Sequence, residues 1–247
     1  MRSLVPTIRS LLLAVTLTGL GVGLAHSRAG EAPAEAVALA APAQTPAESL
    51  ATALRTAARD LDPRVIDLAL QAQATAIRDG LVPNPSILTV IDYSRPCVEP
   101  RFFVFDLAAR QLVFEELVAH GRNSGENMAT AFSNVESSLK TSLGLFVTRD
   151  TYVGQHGVSL RLDGLEPGFN DRASTRAIVI HGADYVNLDL VPRYGRIGRS
   201  WGCPALPTEE AARVIARIRG GSAVFAYFPD ARWLAESRFL GADSTAA

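Results

Sequence analysis

Between residues 86 and 228 the chain repeats one arrangement: a short run of β-branched and aromatic residues, then a break rich in glycine, asparagine or proline. The runs fall at 86–93 (SILTVIDY), 101–107 (RFFVFDL), 112–119 (LVFEELVA), 145–148, 159–162, 177–180 and 224–228. Runs this short, bounded by turn residues, fit strands rather than core helices. Their succession commits the chain to a mainly β domain with short helices. The segment 208–219 (TEEAARVIARIR) has the opposite character. Thr208 is placed to cap it, Glu209 and Glu210 sit in the first turn and arginines in the last, so it reads as a short helix ended by Gly220-Gly221.

Upstream, residues 48–82 read as helical. Leu50, Leu54, Ala57, Ala58 and Leu61 keep one helical face, Asp62-Pro63 restarts the chain, and Val65, Leu68, Ala69, Ala72, Ala76 and Ile77 mark a second face that ends at Gly80. This segment is expected to be a packing layer or a spacer. Residues 30–47 are rich in alanine and proline without large apolar side chains and read as a linker. Residues 1–29 have the form of an export signal: Arg2 and Arg9, an uncharged apolar run over 11–24, then small residues with Ala25 and Ala29 as cleavage points. The run is short for a membrane span, which needs about 20 apolar residues. Membrane contact is therefore expected only through this segment if it stays uncleaved, and the rest of the chain is expected in the periplasm or outside the cell. The domain is expected to close at residue 229. Residues 230–247 form a tail whose end, from Gly241, is small and polar and expected to lack fixed structure. Formal charge is −1, and without residues 1–29 there are 21 basic against 25 acidic residues. That balance gives no basic footprint for nucleic acid.

The chemistry centres on Arg199-Ser200-Trp201-Gly202-Cys203-Pro204, with Ile180-His181-Gly182 upstream. A thiol attacks as its thiolate and needs a neighbour to take the proton, and histidine is the usual one. His181 ends an apolar strand and precedes glycine, a rigid support for a site residue. Cys203 and His181 therefore read as nucleophile and base of an acyl-transfer site. The bland alternatives are a hydrogen-bonded structural histidine and a disulfide between Cys203 and Cys97. Cys97 itself, in an irregular stretch with no nearby histidine, reads as a packing residue or a spare thiol. Peptide N–H groups at Gly202 and Cys203 are candidates to face a developing oxyanion, and Ser200 to orient the histidine or the substrate. Arg196 and Arg199 are candidates for a guanidinium fork on a substrate carboxylate. Tyr185, with Asp184, is placed to line the same pocket. His120 and His156 also precede glycines and are candidates to face substrate or support the site. No close pair of histidines and no second cysteine near Cys203 suggests a metal.

These residues resemble the L,D-transpeptidases (YkuD-like), and most nearly the divergent murein L,D-transpeptidase catalytic domain branch. The resemblance runs from about Ile87 to Tyr227. It includes Leu117-Val118-Ala119-His120-Gly121, Tyr152-Val153-Gly154-Gln155-His156-Gly157, Val179-Ile180-His181-Gly182-Ala183 and Gly198-Arg199-Ser200-Trp201-Gly202-Cys203-Pro204-Ala205. It implies a β-sandwich with short helices and a site at one end. It implies that Cys203 attacks the bond between the third and fourth residues of a peptidoglycan tetrapeptide stem, with His181 as base. The acyl group then passes to an amine of a neighbouring stem, or to water in a carboxypeptidase or endopeptidase. No metal or organic cofactor is implied. The family's usual second histidine before glycine-cysteine is Trp201 here, and Pro204-Ala205 replaces a branched residue and arginine. A non-catalytic wall-binding protein is the alternative of another class.

Overall fold

The computed structural model describes residues 45–241. The expected export signal over 1–29, the linker up to residue 44 and the last six residues lie outside the described residues.

Two helices come first. Thr45 caps α1 (Pro46–Ala57) in a reciprocal box, accepting from the Glu48 N–H while Glu48 accepts from its own. Asp62 caps α2 (Pro63–Arg78) by accepting from the Arg64 N–H, with Pro63 preset at the first helical position. Leu54, Ala58, Leu61, Val65, Ile66, Ala69, Ala72 and Ala76 are buried and share one core with the strands. The helices are thus a packing layer of the domain. The expected boundary between them and the strands is a turn inside one core.

Eight strands form one sheet: β1 (Ile87–Asp92), β2 (Phe102–Asp106), β3 (Gln111–Glu116), β4 (Gly144–Gly154), β5 (Gly157–Gly164), β6 (Val179–Gly182), β7 (Ala205–Leu206) and β8 (Ala223–Tyr227). Their order is β3-β2-β1-β8-β4-β5-β6-β7. β1 runs parallel to β8 and β6 to β7, and the other neighbours are antiparallel. The four apolar residues of β2 and all of β1 and β8 are buried, which is why those runs are continuously apolar rather than alternating. Past β3 the chain reaches Ala119, whose N–H donates to Ala205 of β7 at 2.8 Å. The two ends of the strand order meet there, so the expected layers are made by one nearly closed sheet. That closure brings the segment 117–121 beside the chain that carries Cys203.

Three local readings change. β4 and β5 extend into a long hairpin with Gln155-His156 as its two-residue turn and Gly157 at φ +71°. Pro207, not Thr208, caps the helix that follows β7, α4 (Thr208–Ile218), after a short α3 (Val191–Tyr194); the Thr208 hydroxyl donates instead to Asp184 at 2.6 Å. The domain does not close at residue 229: α5 (Ala231–Glu236) follows, and Trp233 and Phe239 are fully buried. Trp233 Nε1–H donates to the Glu166 carboxylate at 2.9 Å. Among the described residues no helix is long and apolar enough to cross a membrane.

Candidate active site

His181 lies in β6, opposite Ser159 of β5 and opposite Ala205 of β7. Cys203 stands two residues before Ala205, so the turn that carries it leads into the strand next to that of His181. The His181 ring is buried, and its Nδ1 bonds the Gly182 carbonyl at 2.8 Å. A carbonyl only accepts, so Nδ1 carries the hydrogen and Nε2 keeps its lone pair. Burial first, and then the nearby His156, hold the His181 pKa below its ordinary 6.5, while the Gly182 bond pulls the other way. The imidazole is therefore a neutral base near pH 7. His156, at the tip of the β4–β5 hairpin, stacks on it with ring centroids 4.4 Å apart.

The thiol of Cys203 is half-buried and donates to the Ala177 carbonyl at 3.7 Å. Burial pushes its pKa above 9.0, while the Val179 N–H and the charge of Arg176 pull it down. Among the described residues the thiol has no hydrogen bond to His181. Ala177 holds φ +53°, a left-handed backbone uncommon outside glycine, so the carbonyl that receives the thiol sits on a strained turn.

The turn that carries Cys203 is fastened from within. The Ser200 hydroxyl donates to the Cys203 carbonyl at 2.6 Å and accepts from the Gly202 N–H at 3.1 Å. Thr141 accepts from Gly121 N–H and donates to the Gly202 carbonyl at 3.2 Å. Gly202 has φ +128°, and a Cβ there would lie 2.8 Å from the Lys140 carbonyl, so only glycine fits. Two expectations change with this. Gly202 gives its N–H to Ser200 rather than to an oxyanion, which leaves that role to Cys203 N–H. Ser200 shapes the nucleophile turn rather than touching His181.

Arg196 and Arg199, expected to present a fork to substrate, instead both grip Glu126. Arg196 Nε meets one carboxylate oxygen at 2.6 Å and Arg199 Nη1 the other at 2.8 Å. Arg199 Nη1 also donates to the Arg122 and Gly125 carbonyls. They fasten the segment 122–126 to the turn before Cys203. His120 is fully buried, not substrate-facing. Its Nδ1 accepts from Arg101 Nη2 at 2.7 Å, and burial followed by the Arg101 charge lowers its pKa to about 3. Burial and then the Cys203 charge push the Tyr185 phenol upward. The Tyr185 carbonyl accepts from Gly198 N–H at 2.6 Å.

Cys97 is buried and unbonded to Cys203; its thiol meets Asn127 Oδ1 at 3.4 Å. Among the described residues, no three histidine, cysteine or acidic side chains converge on a metal position.

Arg176 was not legible in the sequence. Its Nη1 donates to Ser133 O at 2.8 Å and Ser142 Oγ at 2.5 Å, and its Nη2 to Lys140 O at 2.6 Å and Ser138 Oγ at 3.3 Å. All four terminal hydrogens are committed, so it offers the thiol a fixed positive charge rather than a fork. Trp201, next to the nucleophile, is 74% exposed.

A family model described as the L,D-transpeptidase catalytic domain matches residues 57–227. The chain belongs to that family. The match includes α2 and every strand, in keeping with the helices sharing the core. Among solved structures, this L,D-transpeptidase domain is similar to an L,D-transpeptidase from Mycobacterium smegmatis, at 14% identity over 58% of this chain and 59% of that one, TM-score 0.36. It is similar to one from Mycobacterium tuberculosis H37Rv at 16% identity over 58% of each chain, TM-score 0.33. A third, from Xylanimonas cellulosilytica, matches at 14% identity over 72% of this chain and 93% of that one, TM-score 0.34. The two mycobacterial matches thus span under two thirds of those chains' own lengths. No curated protein matches.

Proposed function

We propose that this protein is a cysteine acyltransferase of peptidoglycan tetrapeptide stems, working through an acyl-enzyme on Cys203. The observation that carries the reading is the pairing of β6 with β7. It sets a neutral His181, with its Nε2 lone pair free, on the strand beside the nucleophile turn. Because burial keeps the thiol protonated, its proton leaves during the reaction. The thiol turns from the Ala177 carbonyl, His181 Nε2 takes its proton, and sulfur attacks the carbonyl carbon between the third and fourth stem residues. Cys203 N–H faces the oxyanion. The imidazolium then returns the proton to the departing amine, and the carbon–nitrogen bond breaks, leaving a thioester. An amine of a second stem attacks the thioester, His181 accepts its proton, and the thiol is restored with a new amide cross-link. Water in place of the amine gives a carboxypeptidase. The export signal read over 1–29 puts this chemistry in the bacterial envelope, and cell fractionation of the full chain tests that.

The test of function incubates the exported protein with disaccharide-tetrapeptide fragments and reads products by mass. Dimers formed with loss of alanine are expected, none with Cys203→Ala, and turnover lowered about 10²–10⁴-fold with His181→Ala. Unchanged fragments, or activity that survives Cys203→Ala, overturn the reading. Tripeptides alone assign the hydrolase.

A further inference from the structure

A cavity of about 250 Å³ opens along β5 and the start of β6. Tyr152, Arg161, Leu162, Ser174 and the residues Ala177 to Val179 bound it; Cys203 itself does not line it. Ala177 and Val179 are the residues whose backbone meets the Cys203 sulfur, so the cavity and the nucleophile share a wall. Arg161 pairs with Val179 across β5 and β6, as Ser159 pairs with His181. Residues two apart share a sheet face. Arg161 and His181 therefore stand on one face, and Leu160, Leu162 and Ile180 fill the core on the other. Strand spacing puts the Arg161 backbone roughly 10 Å from that of Cys203, about one amino-acid residue beyond a carbonyl held at the sulfur.

The Arg161 guanidinium lies 4.4 Å from the centroid of the Tyr152 ring. Stacking fixes its plane and leaves its N–H edges open. Among the described residues it has no carboxylate partner. The other arginines near the turn already hold protein partners: Arg176 four acceptors, Arg196 and Arg199 the carboxylate of Glu126.

We propose that this cavity is a donor subsite for a carboxylate, with Arg161 as its cation and Tyr152 as the plate that orients it. The inference deepens the acyl-transfer reading and rests on Cys203 being the group acylated. Two carboxylates of a stem have this chemistry: the C-terminal one of the departing residue, and a side-chain one on the residue whose carbonyl is attacked.

The first arm of the test needs no stem. The full chain is alkylated with N-iodoacetylglycine and, separately, with its primary amide, and modification of Cys203 is followed by peptide mass. The ratio of the two rates is referred to the same ratio for glutathione. Arg161→Gln is expected to lower that ratio roughly 2–5-fold, the scale of a solvent-accessible ion pair, and Arg161→Lys to keep most of it. A ratio unmoved by Arg161→Gln overturns the subsite, whether or not stems react. A lowered ratio with no turnover of any stem by the wild type supports the subsite and overturns the peptidoglycan reading. In the second arm, stems are amidated either at the C-terminus or at the third-residue side chain. The KM penalty of Arg161→Gln is expected to vanish for one of them, which names the carboxylate held. A penalty that persists on both overturns carboxylate recognition.

Discussion

At the scale of single residues, the proposed chemistry pairs an imidazole held neutral with a thiol held protonated, and its expected pH dependence follows from both. His181 must be unprotonated to accept the thiol's proton, so activity falls as pH drops through its pKa, which burial and His156 place below 6.5. The acid limb of kcat/KM is therefore expected below the ordinary histidine range. His156→Ala removes the stacked ring and the neighbouring charge, and is expected to move that limb up toward 6.5. A pH profile of both proteins checks this, and an acid limb that stays put removes His156 from the argument. Arg176 contributes a fixed charge that lowers the Cys203 pKa. Arg176→Gln is expected to raise the thiol pKa and slow iodoacetamide alkylation several-fold at pH 8, with Arg176→Lys intermediate. A thiol pKa unchanged in Arg176→Gln would reduce Arg176 to a staple of the 133–142 loop. Cys203 and His181 were legible in the sequence because glycine and proline flank the one and an apolar strand precedes the other. Arg176 was not, because Ser174-Thr175-Arg176-Ala177 is ordinary loop sequence, and its proximity to the thiol arises only when the loop folds back.

At the scale of elements, the largest departures from the sequence reading lie where a segment's partner is distant in the chain. The β4–β5 hairpin is one. The strand runs expected at 145–148 and 159–162 lengthen toward each other, and pairing of Gly154 with Gly157 closes a tight turn that holds His156 over His181. The C-terminal segment is another. Its composition is unremarkable, but Trp233 fills the core and donates to Glu166, whose other oxygen accepts from Leu145 N–H at 2.6 Å. Trp233→Ala removes a large buried ring and one of the donors to a buried carboxylate. The expected cost is about 3–5 kcal/mol, a fall in Tm of roughly 10 °C for a domain this size. Calorimetry checks it, and a change under 2 °C (about 1 kcal/mol or less) would make α5 an ornament. Arg196, Arg199 and Glu126 also belong here. A charge two turns from a nucleophile reads as a substrate contact, and only the fold shows the carboxylate that already occupies both.

At the scale of the whole molecule, the meeting of the sheet's two ends buries charge-bearing groups that local sequence would leave at the surface. Arg101 and His120 are fully buried side by side. The folded state holds His120 at a pKa of about 3, against 6.5 for the free side chain. Between those values the unfolded chain binds the extra proton, so this group's contribution to stability is complete above pH 6.5 and is lost as pH falls toward 3. The full linkage is on the order of 5 kcal/mol. Asp92 and Glu166, held upward by burial, pull the opposite way. The informative quantity is therefore the difference between wild type and His120→Asn, whose amide oxygen stands where Nδ1 accepts from Arg101. Urea midpoints at pH 7 and pH 4 are expected to fall less with acid in the variant, and equal falls would place the acid sensitivity elsewhere. The sequence by itself determined the mainly β character and the breaks between helices, and it singled out Cys203 and His181 as candidates, because each depends on residues within a few positions of one another: apolar runs, prolines at helix starts, a cysteine between glycine and proline. Tertiary structure alone decided that one sheet curls until β3's extension meets β7, that the flanking helices and C-terminal segment share its core, that Arg176 rather than Arg196 or Arg199 sets its charge near the thiol, and that Arg161 stands without a carboxylate partner over Tyr152. Those outcomes depend on which distant backbone groups pair and which charges find partners, and chain order carries no record of either.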